Sequence, residues 1–227
     1  RCSSAPGCRI DPTPNADSPA RRGAVVEVSA TITRRQVDEM VTPAEVISVL
    51  SGAGVECVLA GAYATNVWTG VPRATRDVDV IVPLRAHNKA VRAIRAAFPH
   101  LIPRDSPAVA RFEDPASGDA LIDLMKPRDR IVKAVFLHST TASIEGRPAR
   151  IVDLEMALAL KFAAMVGAWR NLSKKYMDAS DFIAIVTANE QVDLEIVRSL
   201  GELVYPGGGA EIAVLVADAR AGRRLSF

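Results

Sequence analysis

Cysteine is scarce in this sequence, and net charge is nearly absent. The 227 residues include three cysteines, Cys2, Cys8 and Cys57. Their odd number and lack of metal-ligand spacing argue against a disulfide framework or a cysteine-held metal. Cys57, set in an apolar run, reads as a small buried thiol. The 28 Lys and Arg against 26 Asp and Glu leave a net charge of only +2, so any basic surface for nucleic acid must be local. No long hydrophobic run is present. The longest uncharged stretch, Cys57 to Pro72, is broken by Tyr63, Thr65, Asn66 and two glycines, and is too short and polar to span a bilayer. The opening segment lacks the apolar core of a signal peptide. No internal repeat occurs, and His87, His100 and His138 form no constellation. These absences lead us to expect a cytoplasmic, soluble, reduced protein with no membrane partner.

Apolar residues make up 49% of the chain and charged residues 24%, which is globular composition. Residues 1–22, rich in Ser, Pro, Ala and Arg without periodicity, read as a disordered tail or an appended segment. A core is expected over 23–152 and a helical subdomain over 153–227. Thr42-Pro43-Ala44-Glu45 reads as a helix start with a capping box, and the glycines from 52 to 54 as its end. Val55 to Ala60 then reads as a buried strand, and Gly61 to Thr69 as a helix closed by Gly70. A basic loop with Arg73 and Arg76 leads to the strand Asp77 to Val82. The pattern continues with a basic amphipathic helix over 86–97, strands near 109–113 and 120–125, and a short helix near 129–137. A last strand is expected near 148–152. Beyond Asp153 it is helical, over 153–168, 174–188, 191–204 and 209–221. Strands first and helices afterwards make the fold class α+β.

The informative residues are Asp77-Val78-Asp79-Val80. On a strand, both aspartates face one way and both valines the other. Adjacent carboxylates on an otherwise apolar strand repel and lose hydration, so a positive partner must compensate them. Mg²⁺ suits hard carboxylate oxygens and is completed by substrate phosphates. A surface strand balanced by Arg73 and Arg76 is the competing account. The preceding strand, with Gly61 at its turn into a helix, adds backbone N–H groups suited to phosphate.

Leu59-Ala60-Gly61-Ala62 followed by Asp77-Val78-Asp79-Val80 resembles the polymerase β-like nucleotidyltransferase superfamily. The resemblance implies a mixed sheet with flanking helices, followed by a helical subdomain. Ala62 stands where members usually carry Ser or Gly, so a hydroxyl contact to phosphate is missing. A third carboxylate on a neighbouring strand is implied, and Asp123 in Ala120-Leu-Ile-Asp-Leu-Met125 fits it. Asp114 and Asp119 read as turn residues.

Within the helical half, Lys161 is the one charged residue between Glu155 and Arg170. Glu155 is six positions away, the wrong side of the helix for a partner. Lys161 therefore either snorkels to water or meets a phosphate. Asp178 and Asp181 lie at i and i+3, and pairing of Asp178 with Lys174 or Lys175 would explain one of them locally. Together with the earlier motif they resemble abortive-infection toxin-like (AbiEii-type) nucleotidyltransferases over roughly residues 42–186.

The resemblance implies transfer of a nucleoside monophosphate from an NTP to an acceptor hydroxyl on RNA, such as a transfer RNA end, or on a protein. An antitoxin partner goes with a toxin, and antibiotic-modifying relatives imply a small aminoglycoside instead. Asp77, Asp79 and Asp123 would be catalytic and metal-binding. Gly61, Ala62, Arg73, Arg76, Lys161, Asp178 and Asp181 would bind the nucleotide or orient the groups that do. Two other accounts are a catalytically weak nucleotide- or partner-binding relative and an unrelated α+β binding domain.

Overall fold

The computed structural model describes residues 41–168 and 170–227. The tail expected over 1–22 and the first part of the core, 23–40, lie outside the described residues. From Val41 onward, the elements are α1 (Pro43–Gly52), β1 (Val58–Leu59), α2 (Gly61–Thr69), β2 (Val78–Ile81), α3 (Leu84–Ala97), β3 (Ile102–Asp105), β4 (Val109–Glu113), β5 (Ala120–Met125), α4 (Arg130–Ala134), β6 (Ser139–Ile144), β7 (Arg147–Val152), α5 (Leu154–Val166), α6 (Leu172–Ala188), α7 (Leu194–Val204) and α8 (Gly208–Arg220).

The strands form a seven-stranded mixed sheet in the order β3-β4-β5-β2-β1-β7-β6. At its centre β2 runs parallel to β5 and antiparallel to β1, and β1 runs parallel to β7. The mixed sheet with flanking helices is the α+β architecture that the strand-then-helix pattern predicts. Alternation decides which residues meet which layer. Val78, Val80, Leu59, Ile122 and Leu124 pack with Val46, Leu50, Ala90 and Ile94 of α1 and α3. On the opposite face, Val58, Ile81 and Val152 pack with Ala64 of α2 and the apolar faces of α5 to α8, including Met156, Phe162, Phe182 and Ile212. Asp79 lies between Val78 and Val80 in sequence and therefore shares its face with Ile81, on the side of α2 and the later helices.

Local chemistry accounts for the boundaries. The capping box of α1 is present, with the Glu45 amide donating to the Thr42 hydroxyl and the Thr42 amide to the Glu45 carboxylate. α5, α6 and α7 start on Asp153, Asn171 and Asp193, whose side chains accept from first-turn amides. Gly70 closes α2 in the left-handed region, at φ 67°. α7 and α8 cross at glycines: a Cβ on Gly208 would sit 2.4 Å from the Gly201 carbonyl oxygen. β1 is shorter than the strand expected over Val55 to Ala60, because the Val55 amide turns back to the Leu50 carbonyl and finishes α1.

Candidate nucleotide and metal site

The turn from β1 into α2 sets the geometry. Gly61 has φ 59°, and a Cβ there would lie 1.9 Å from Asp79 Oδ2. Glycine is therefore required twice, by the backbone angle and by the carboxylate against it. The Ala60 amide donates to the Asp79 carbonyl at 2.9 Å, which holds the turn against β2. α2 has no side-chain cap at its N-terminus, so its first amides stay available beside the acidic strand. Ala62 is buried in that first turn.

Asp77 precedes β2 and accepts a hydrogen bond from the Thr75 hydroxyl. Asp79 is half-buried and pushed up to about 7, chiefly by loss of hydration, then by Asp77 and Asp123; Lys161 and Arg170 pull the other way. Tyr63 is also pushed up, by burial and by Glu145 and Asp77. Negative charge thus gathers around Asp79, and the oxygens of Asp77 and Asp79 suit a hard divalent cation.

Asp123 stands level with Asp79, as Cα partners on the parallel strands β2 and β5. Its buried carboxylate is not free. Arg111, opposite it on β4, donates from Nε to Oδ1 at 2.8 Å and from Nη2 to Oδ2 at 2.7 Å. That bidentate bond raises Arg111 above its ordinary value, with Glu113 and Asp77 adding to the effect of Asp123. Among the described residues, no three His, Cys, Asp or Glu side chains gather as a metal-binding group.

The helical half meets this site through a second charged cluster. Lys161 of α5 neither snorkels nor stands free: its ammonium donates to Asp178 Oδ1 at 3.1 Å and Asp181 Oδ2 at 2.6 Å, both on α6. The local pairing of Asp178 with Lys174 or Lys175 does not form; Arg170 binds its other oxygen instead. Arg73 approaches Asp181 Oδ1 at 3.3 Å, an ion-pair distance without hydrogen-bond alignment for its Nε. The side chains of Lys161, Asp178 and Asp181 are only 12%, 5% and 8% exposed. Three cations around two carboxylates leave one positive charge, and Lys161 and Arg170 act on Asp79 across the pocket.

Arg73 is placed by Asn66, whose side chain both accepts from the Arg73 amide at 2.9 Å and donates to its carbonyl at 3.1 Å. Arg76, in contrast, is drawn away. It pairs with Asp119 in the Asp114–Asp119 turn, and its side chain is 76% exposed. Gly61, Ala62, Asp77, Asp79 and Asp123 thus line one end of the sheet face, Arg73, Lys161, Asp178 and Asp181 form the helix-side cluster, and Arg76 stands outside both. Asn66 and Arg111 escaped the sequence reading because their partners lie in other elements. Arg111 alternating with buried Ala110 and Phe112 was the available signal.

No protein-family model and no curated protein matches this sequence. The solution structure of the antibiotic-resistance factor ANT(2'')-Ia aligns over 68% of this chain and 84% of its own, at 18% identity and a TM-score of 0.50. The antigenic nucleotidyltransferase-like protein from Paracoccidioides brasiliensis aligns over 82% and 96%, at 17% identity and a TM-score of 0.45. Lincomycin-bound lincosamide antibiotic adenylyltransferase LnuA aligns over 67% and 98%, at 11% identity and a TM-score of 0.46. Among the described residues, no helix is long and apolar enough to cross a membrane. The strand order, the Gly61 turn against the acidic strand and the helical half beyond β7 make this a nucleotidyltransferase-type fold.

Proposed function

We propose that this chain is a Mg²⁺-dependent nucleotidyltransferase that transfers a nucleoside monophosphate from an NTP to an acceptor hydroxyl. The observation that carries the reading is the contact of Gly61 with Asp79. It sets the free amides of an uncapped helix against a carboxylate whose ionisation needs a cation. Phosphate oxygens suit the amides of Gly61 and Ala62 and the residual positive charge of the Arg73–Lys161–Arg170 cluster. Asp77 and Asp79 would hold Mg²⁺, which when bound supplies charge neutralisation at the phosphate oxygens. Asp178 and Asp181 orient Lys161 rather than touching substrate. Asp123, fixed by Arg111 and level with Asp79, is the remaining carboxylate to take the proton of the attacking hydroxyl. Arg76, paired with Asp119, has no part in this reading.

The acceptor in this reading is an RNA end or a protein hydroxyl, as the toxin-type resemblance implies, in a cytoplasmic protein with an antitoxin partner. A small-molecule acceptor is the alternative that the antibiotic-modifying relatives bring. The test is incubation with each α-labelled NTP and Mg²⁺, with total RNA, cell extract or an aminoglycoside supplied in turn. Label in one acceptor class, absent from an Asp77→Ala, Asp79→Ala variant, is the expected result. Nucleotide binding with no transfer to any acceptor would favour a catalytically silent binding protein.

A further inference from the structure

Arg111 changes what the acidic pocket can hold. It stands in a cross-strand row with Asp123 and Asp79, since Arg111 is the register partner of Asp123 and Asp123 that of Asp79. Residues in register project from the same sheet face, so the row places a guanidinium, a carboxylate and a second carboxylate side by side. Arg111 donates to both oxygens of Asp123, at 2.8 and 2.7 Å, a two-pronged contact that offsets the carboxylate's charge and leaves each oxygen a lone pair that can accept a proton but attracts a cation weakly. Charge leads to the same place. Three carboxylates, Asp77, Asp79 and Asp123, with the Arg111 guanidinium leave two negative charges, against which the helix-side cluster sets one positive charge, so one divalent cation suffices and a second would overcharge the site. Among the described residues the three acids do not gather as a metal-binding group.

We infer that Arg111 acts as a fixed internal cation that withholds Asp123 from metal binding, so that this chain carries one divalent ion, on Asp77 and Asp79, and not two. The inference rests on the metal reading of Asp77 and Asp79 and specifies how many ions that site takes. Arg111 is a positioning residue: it acts through Asp123. A bare Asp123 with Arg111 gone would add one negative charge beside Asp79, and the pocket would gain affinity for a first ion and room in charge for a second.

The test counts bound Mn²⁺ by electron paramagnetic resonance on the full chain, with the metal alone and no nucleotide. The unmodified protein should saturate at one ion, and Asp77→Asn should lose it. Arg111→Gln should bind a second ion or tighten the first by about tenfold. The informative variant is Arg111→Gln with Asp123→Asn, which removes both partners and keeps the charge. One ion bound within about threefold of the unmodified affinity supports the inference. Saturation at two ions in the unmodified protein, or a tenfold loss in the double variant, overturns it, because Asp123 would then be a ligand. If Asp77→Asn leaves Mn²⁺ binding unchanged, the metal reading of the acidic strand falls instead, and the inference with it. Circular dichroism melts of each variant separate lost binding from lost fold, and Arg111→Lys, which keeps the charge without the fork, should still bind one ion.

Discussion

Two atoms decide the local form of the site: the missing Cβ of Gly61 and Oδ2 of Asp79, which would stand 1.9 Å apart if the first existed. Gly61→Ala must therefore both strain a backbone at φ 59° and displace the carboxylate. We expect a loss of at least about 1–2 kcal/mol in stability and abolished nucleotidyl transfer, read by thermal melting and by labelling. Asp79 carries its own pH signature. In the metal-free protein its folded value is about 7 against 3.8 ordinarily, so folding favours the protonated acid. Its contribution to stability is complete below about pH 4 and is lost as the pH rises through about 7. Asp79→Asn removes the charge that is penalised, so its melting temperature should match the unmodified protein near pH 4 and exceed it by on the order of 5 °C at pH 8. Saturating Mg²⁺ should shrink that gap. A variant melting lower at every pH would show that Asp79 is held by contacts the charge account omits. Asp77 and Asp79 were visible in the sequence because their spacing and parity are local. Arg111 on Asp123, twelve residues away, and Lys161 on Asp178 and Asp181, seventeen and twenty away, were not. In both pairs the cation and its acids sit on successive elements, Arg111 on β4 facing β5 and Lys161 on α5 facing α6, where local spacing carries no signal.

Among elements, α5 and α6 are joined by charge as well as by apolar packing. Lys161→Met would leave Asp178 to Arg170 and Asp181 to the misaligned Arg73, so both buried carboxylates lose their shared partner. The expected cost is about 2–4 kcal/mol, and a second change, Asp181→Asn, should recover part of it; denaturant melts measure both. If Lys161→Met is neutral, the cation serves the ligand more than the fold. Elements were legible where a local rule governs them. The capping box of α1, the left-handed Gly70 and the strands β4 and β5 match their expected places. β3 and β6 were not expected. β3 (Ile102–Asp105) is exposed throughout and begins Ile-Pro-Arg, while Ser, Thr and Ala fill most of β6. Both are edge strands, held by a neighbour's backbone rather than by an apolar face, and composition carries no trace of that.

For the molecule as a whole, the sheet and the later helices share one apolar cluster: Val58, Ala60, Ile81 and Val152 pack with Met156, Phe162, Phe182 and Ile212. Trp68 of α2 ties the two by donating to the Val152 carbonyl, and its own carbonyl accepts from Asn189 after α6. We expect residues 41–227 to unfold in one cooperative transition, with coincident curves from tryptophan fluorescence and circular dichroism. Two separated transitions would mean that the helical half holds its fold without the sheet. The overall class was legible because strands come first and helices follow. The mutual burial was not, since a sequence shows which faces are apolar but not which of them meet.

The closeness of Gly61 to Asp79 also works as a gauge of side-chain length. A glutamate at position 79 would carry its carboxylate one carbon further, into the backbone of the turn at Gly61. The acid and the turn are cut to each other in length, so neither Asp79→Glu nor Gly61→Ala fits while the other residue stays.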